Sequence, residues 1–251
     1  MTSTTGTTSR TWSPVVCAGA GAVAVGALLA LAAALGYRTG LLGLGMSFTV
    51  LRWGALISAG AAGIALIGTV WATFRRLHWQ NVAAGLVAAA FGAVCYMVPA
   101  GQQALARSVP PIHDITTDTD DPPAFVAILP LRADAPNPPE YDPAVAAQQR
   151  EGYPDLRSVM LDVPPAEAFS QALAAAGAMG WELVADDAAA GRIEATDTTF
   201  WYGFKDDVVI RVRGDGAGSR IDVRSKSRVG RSDVGANAER IREYTARLTG
   251  N

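Results

Sequence analysis

The chain has 251 residues, half of them hydrophobic, with a formal net charge of −2 and a mean hydropathy of +0.19. That balance argues against nucleic-acid binding, because phosphate backbones demand a cationic surface, and two cysteines are too few for a disulfide scaffold. The charges are also divided along the chain: the first 107 residues hold six arginines and no Lys, Asp or Glu, and all 23 acidic residues follow. An ionised group in hydrocarbon costs about 3 kcal/mol or more. The first 107 residues therefore read as a membrane anchor and the rest as a water-exposed domain.

Three apolar runs, residues 15–37, 53–74 and 82–98, approach the roughly 20 residues needed to cross about 30 Å of hydrocarbon. Ser13-Pro14 opens the first as an N-cap followed by a first-turn proline. Arg52 stands where it can snorkel from the start of the second. The third is short, and Gln102 and Gln103 would let it continue past Pro99 toward Arg107. Trp12, Trp53, Trp71 and Trp79 fall at run ends, where interfacial aromatics belong. Arg10 and Ala32-Ala33-Ala34 imitate a signal peptide, but the run exceeds the usual core of roughly 7–15 residues and two more spans follow it. It is read as a retained anchor.

The arginines split evenly across such a bundle, Arg10, Arg75 and Arg76 on one side and Arg38, Arg52 and Arg107 on the other. The α-amine and the Arg75-Arg76 pair beside His78 tip the positive-inside rule toward a cytoplasmic N-terminus. Three spans then put the C-terminal domain outside the cytoplasm, periplasmic for a multi-pass protein of a bacterial inner membrane. Gly19, Gly21, Gly26, Gly54, Gly60, Gly63, Gly85 and Gly92 predict close helix packing, within the chain or between copies as a homo-oligomer. No span contains Asp, Glu or Lys, so a proton relay or ion pathway is not expected.

Twelve of the fourteen prolines lie between Pro110 and Pro165. Residues 108–157 therefore read as a Pro/Asp-rich connector, with one short helix from Asp142 and Pro143 to about Arg150, closed by Gly152. Phe125, Val126, Ile128 and Leu129 could dock as an edge strand. From residue 158 to 251 the periodicities predict a strand at 159–163 and a helix opened by Pro164-Pro165. Strands follow at 181–186, 192–198, 200–213 (with a break near Lys205) and 220–228, then a helix from Ser232 or Asp233. The fold class is three transmembrane α-helices plus a C-terminal α+β domain, an antiparallel sheet with two helices on one face.

Two stretches, SVPPIHDITTDTDDPPAF (108–125) and SRIDVRSKSRVGRSDVGANAERIREY (219–244), resemble the signatures of the bacterial family called domain of unknown function 1499. The resemblance spans roughly residues 108 to 248, and many members carry a similar set of three N-terminal spans. It implies no activity and transfers no catalytic residue.

Three groups of side chains are candidates for chemistry. His113, Asp114, Asp118, Asp120 and Asp121 form an acidic cluster. Its spacing resembles the start of a calcium loop but lacks the Gly and distal Glu, so turn capping is the simpler reading. Arg211, Arg213, Arg224, Lys226 and Arg228 share one face of two neighbouring strands. Like charges so placed are costly unless an anion meets them; anionic lipid, a partner's carboxylates or the chain's own connector could serve. Phe200, Tyr202 and Phe204 could line an apolar pocket, although core packing is the commoner fate of strand aromatics.

Gly230–Gly235 imitates a phosphate loop without its Lys-Ser/Thr, and no nucleophile elbow is present. Two histidines, with both cysteines inside spans, leave no zinc set and no cofactor is implied. The leading expectation is a non-enzymatic envelope protein for binding or assembly. A membrane-tethered lipid or hydrophobic-ligand binder is the alternative, and a hydrolase using His113 and Asp114 the third reading.

Overall fold

The computed structural model describes residues 11–250; Arg10, which enters the arginine balance above, lies outside the described residues. The chain divides into two compact units, Met1–Gln103 and Ala104–Asn251.

The first unit contains α1 (Pro14–Arg38), α2 (Leu44–Phe74) and most of α3 (Trp79–Ser108). Each is long and apolar enough to cross a membrane. Ser13 caps α1, its Oγ accepting from the Val16 N–H at 3.5 Å, while its own N–H donates to Asn81 Oδ1 at 2.7 Å. α2 starts at Leu44, well before the expected 53, because nothing from Leu44 to Arg52 breaks a helix and Gly43 supplies the extended cap. Arg52 and Trp53 consequently lie inside α2 and not at its end. α3 likewise runs through Pro99; a proline removes one hydrogen bond without ending an apolar helix that is otherwise intact.

Glycines set the helix approach. A Cβ on Gly54 would stand 2.7 Å from the Gly26 carbonyl oxygen, and one on Gly19 2.7 Å from the Ala65 nitrogen. Gly92 is similarly close to the Ser58 carbonyl, whereas Gly21, Gly60 and Gly63 have nothing within 4 Å.

The second unit is built on a six-stranded antiparallel sheet: β1 (Asp114–Thr116), β2 (Val159–Leu161), β3 (Glu182–Asp187), β4 (Arg192–Thr198), β5 (Lys205–Asp215) and β6 (Gly218–Ser227). The order is β1-β6-β5-β4-β3. Both β1 and β2 pair with β6, Asp114 opposite Lys226 at one end and Val159 opposite Ile221 at the other. Alternation sends Ile193, Ala195, Val208, Ile210, Val212, Ile221 and Val223 to one face. There they form the core with α5 (Pro165–Ala178) and α6 (Ala236–Thr249). Tyr244 of α6 stacks on Trp181 and donates to the Ala172 carbonyl at 3.0 Å.

Two expectations are corrected here. The strand expected from Phe200 begins only at Lys205, because residues 199–204 form the β4–β5 turn. There the Gly203 N–H donates to the Thr199 carbonyl and the Phe204 N–H to Thr199 Oγ1, both at 2.9 Å. The last helix starts at Ala236 and not at Ser232 or Asp233. Asp233 is instead its anchor, its two carboxylate oxygens accepting from the Gly235 and Asn237 N–H groups.

Candidate functional site

The face of the sheet away from α5 and α6 is polar, and the Pro-rich stretch lies across it. Phe125 and Ile128 are buried against Val209 on that face. They do not form an edge strand; residues 129–132 are a 3-10 turn. The short helix expected after Asp142 is present as a 3-10 turn (Pro143–Val145) running into α4 (Ala146–Gly152). Gln149 of α4 closes the outer edge of β1, its amide accepting from the Thr116 N–H at 3.0 Å and donating to the Thr116 carbonyl at 2.6 Å.

The composition of this lid matches the face beneath it. A proline-rich segment offers backbone carbonyls but few N–H groups, and a guanidinium offers five donors and no acceptor. Arg224 accordingly donates to the carbonyls of Pro123 at 3.1 Å and Pro139 at 2.9 Å, and Lys226 to that of Glu140 at 2.6 Å. Arg228 reaches the Leu131 carbonyl at 2.8 Å, and Arg211 that of Asp121 at 2.6 Å. Where the lid does present three successive N–H groups, at Val126, Ala127 and Ile128, the Glu194 carboxylate accepts all of them at 3.0–3.1 Å. Glu194 is 0 % exposed and also lies 3.0 Å from Arg192 Nε.

Carboxylates neutralise the cations in three clusters. In the first, Arg224 meets Asp114 side-on, Nε to Oδ1 and Nη2 to Oδ2 both at 2.8 Å, and Lys226 Nζ is 2.9 Å from the same carboxylate. The Arg224 guanidinium sits over Phe125, 4.7 Å from its centroid, with Tyr141 5.5 Å away. Burial, then the Asp114 charge, pushes the Tyr141 hydroxyl up to about 12, and burial pulls the Lys226 ammonium below its ordinary value.

In the second cluster, Asp207 receives Arg132 at 2.5 Å, Arg228 at 2.7 Å and the Thr196 hydroxyl at 2.7 Å. In the third, Asp222 takes Ser158 at 2.5 Å and Arg211, Arg213 and Arg220 at 2.9 Å each. Burial raises Asp222, but the hydrogen bonds from Ser158, Arg211 and Arg220 together with the Arg211 charge outweigh it, and the carboxyl ends below its ordinary value. Asp118 joins this cluster through Arg220 at 2.5 Å, and Asp121 through Arg213 at 2.8 Å; the Arg213 and Arg211 contacts lower Asp121.

The structure thus brings Asp114, Asp118 and Asp121 of the acidic group onto Arg224, Lys226, Arg211 and Arg213 of the basic one, with Arg228 beside them on Asp207. Asp120 stays exposed, 3.4 Å from Arg150. His113 does not converge with Asp114: its Nδ1 is 3.4 Å from the Arg231 carbonyl, while both Asp114 oxygens face Arg224. Among the described residues no group of three His, Cys, Asp or Glu could hold a metal ion. Of the aromatic set, Tyr202 and Phe204 are half-buried and stacked at 5.0 Å, while Phe200 is 80 % exposed.

Sequence reasoning missed Glu194, Asp207 and Arg132, and on the helix face Arg240, which bridges Asp206 at 2.7 Å and Asp197 at 2.8 Å. Glu194 and Asp207 alternate with core residues in strand register, which reads as an ordinary wet face; only the lid makes them interior. A faint signal was available, since prolines concentrated before an Arg-rich hairpin pair acceptors with donors.

A family model described as protein of unknown function, DUF1499, matches residues 114–248. The match begins at the partner of Arg224, ends at the last buried residue of α6, and takes in lid, sheet and helices together. Neither a curated protein nor a solved structure matches the chain. Three helices of membrane-crossing length precede the matched region, so the chain is a membrane-protein member of the DUF1499 family.

Proposed function

We propose that this chain is a non-enzymatic protein of the bacterial cell envelope. In this reading three inner-membrane spans, with the N-terminus cytoplasmic, hold an extracytoplasmic α+β domain that works by binding or assembly. The observation that supports it most is the use to which the chain puts its reactive side chains. The buried members of the acidic and basic groups pair with one another and with the lid backbone, so their work is to weld residues 114–140 onto the sheet. A domain welded in this way is a rigid body, and its remaining asset is its outer surface.

The test is photo-crosslinking from exposed domain positions in intact cells, with co-purified lipids measured by native mass spectrometry. Discrete crosslinks to another protein or to a second copy support the reading. A stoichiometric lipid without protein crosslinks transfers it to the hydrophobic-ligand alternative. Loss of a measured turnover in His113→Ala would favour the hydrolase instead. Reporter fusions after Arg107 and within residues 75–80 decide the orientation; a cytoplasmic signal at Arg107 overturns it.

A further inference from the structure

We propose that the β4–β5 hairpin tip, Phe200-Trp201, docks the domain on the surface of the lipid bilayer. Turn tips ordinarily carry Gly, Asn, Asp or Pro. Here two large aromatics stand adjacent, 80 % and 66 % exposed, packed edge-to-face at 5.3 Å. They are held on a firm base. The Thr199 N–H donates to the Phe204 carbonyl at 2.9 Å, Gly203 turns the chain at φ +69°, and Tyr202 stacks on Phe204 beneath. The aromatics are thus presented by an ordered turn that leaves them outside the core.

The register of the sheet fixes which end of the domain this tip occupies. Thr198 pairs with Lys205 at the closed end of the hairpin, next to the turn, the Arg228 N–H donates to the Lys205 carbonyl, and the Ser227 N–H donates to the His113 carbonyl. The tip therefore lies at the end of the sheet where the chain arrives from α3. Residues 109–113 alone separate Ser108, the last residue of that membrane-length helix, from Asp114 of β1. Five residues span at most about 18 Å when fully extended, so this end of the domain is on a short leash.

Other groups at the same end suit the same partner. Leu131 is 54 % exposed, and its carbonyl is held by Arg228. Lys205 and Arg231 are exposed there, as is Asp134 in the lid turn beside Leu131, while exposed Asp162, Asp186 and Asp215 belong to the other end. Glu182, opposite Thr196, is an exposed carboxylate only two residues in from the tip end. Tryptophan and phenylalanine settle at the headgroup level, where a ring is apolar on one side and wet on the other. Lysine and arginine beside them meet lipid phosphate. Such docking would fix the orientation of the domain on the membrane whichever protein, if any, it binds, so the inference stands apart from the proposed function.

The experiment uses the full chain, with Cys17 and Cys95 replaced by Ala, in nanodiscs containing phosphatidylglycerol. Spin labels are placed at Phe200→Cys, Trp201→Cys and, at the opposite hairpin tip, Ala217→Cys. All three sites are exposed. Docking predicts a severalfold higher ratio of oxygen to nickel-chelate collisions at 200 and 201 than at 217. Equal ratios would place the tip in water and overturn the proposal. Shielding of 200 and 201 from both reagents would place it against protein, a second copy or the chain's own helices, and would overturn it equally.

Discussion

Arg224 and Asp114, 110 residues apart in sequence, share two parallel hydrogen bonds of 2.8 Å while almost wholly out of water. Lys226 alone could supply charge to that carboxylate, but it cannot supply the fork or stack on Phe125. Arg224→Met leaves Asp114 buried with half its partners and should cost about 3–5 kcal/mol, the usual penalty for breaking a buried pair from one side. Arg224→Lys should recover only part, because an ammonium is a point charge. The double variant with Asp114→Leu should be less damaging than the two single losses added together. Unfolding midpoints of the detergent-solubilised full chain would measure all three.

Charge reversal at Arg224 and Lys226 together should free the lid as well as weaken the fold. Residues 118–140 should then exchange their amide hydrogens, and be cut by protease, markedly faster than the core strands. Unchanged protection would mean that the lid is held by its apolar residues alone.

Glu194 makes a separate prediction. Glu194→Gln keeps the volume, but its NH2 end cannot accept from the N–H groups of Val126, Ala127 and Ile128. The loss should be about 1.5–3 kcal/mol, because the remaining oxygen can still accept from two of the three N–H groups and each bond to an ionised acceptor is worth roughly that much. Hydrogen exchange should accelerate first at residues 126–128, before the rest of the lid.

Much of the fold was legible because its signals are local. Val159–Leu161, the Pro164-Pro165 entry to α5, the alternation of Ile221 and Val223 with Arg224 and Lys226, and the 3.6-residue spacing of Ala238, Ile241 and Leu248 each declare themselves within a short window. The errors fall where a local pattern was ambiguous. Phe200-Trp201-Tyr202 has the composition of a strand, yet Gly203 with a positive φ and the Thr199 side chain make it a turn. The second apolar run begins only after Arg52, but nothing between Leu44 and Arg52 breaks a helix, so α2 starts earlier. At the site, opposite charges on the connector and the hairpin were readable, but the partners of Arg132, Asp207 and Glu194 depend on how a segment without periodicity lies across the sheet.

Acid should act on the domain in two opposed steps. Asp233 is raised by burial despite its two backbone donors. A carboxyl whose folded value is raised favours the folded state as pH falls, because the folded chain takes up the proton first. Asp222, Asp155 (through its Arg242 hydrogen bonds) and Asp121 are lowered. Their contribution is complete above the ordinary carboxylate value and is lost as pH falls through their lower folded values. Stability should therefore rise slightly on mild acidification and fall below about pH 4, where ordinary aspartates titrate. Asp222→Asn should lower stability at neutral pH and flatten the acid loss, and Asp233→Asn should remove the mild rise.

In the first unit, Gly54→Val should separate α1 from α2, because the Gly26 carbonyl already stands 2.7 Å from where a Cβ would be. Overpacking of this kind costs about 1–3 kcal/mol. Gly60→Val, with nothing within 4 Å, should change the thermal midpoint of the solubilised protein little, by the equivalent of about 0.5 kcal/mol.

The pairing of β1 with β6 has a consequence for how the protein is made. Asp114 leaves the ribosome early, but its partner strand is among the last segments synthesised, and Arg132 and Asn137 also wait for residues 207–230. Contacts so distant in sequence close late. The three apolar helices can enter the bilayer while the rest of the chain still lacks its closing strand. The proline-rich segment, poor at forming any structure alone, stays extended until the C-terminal hairpin arrives to receive it.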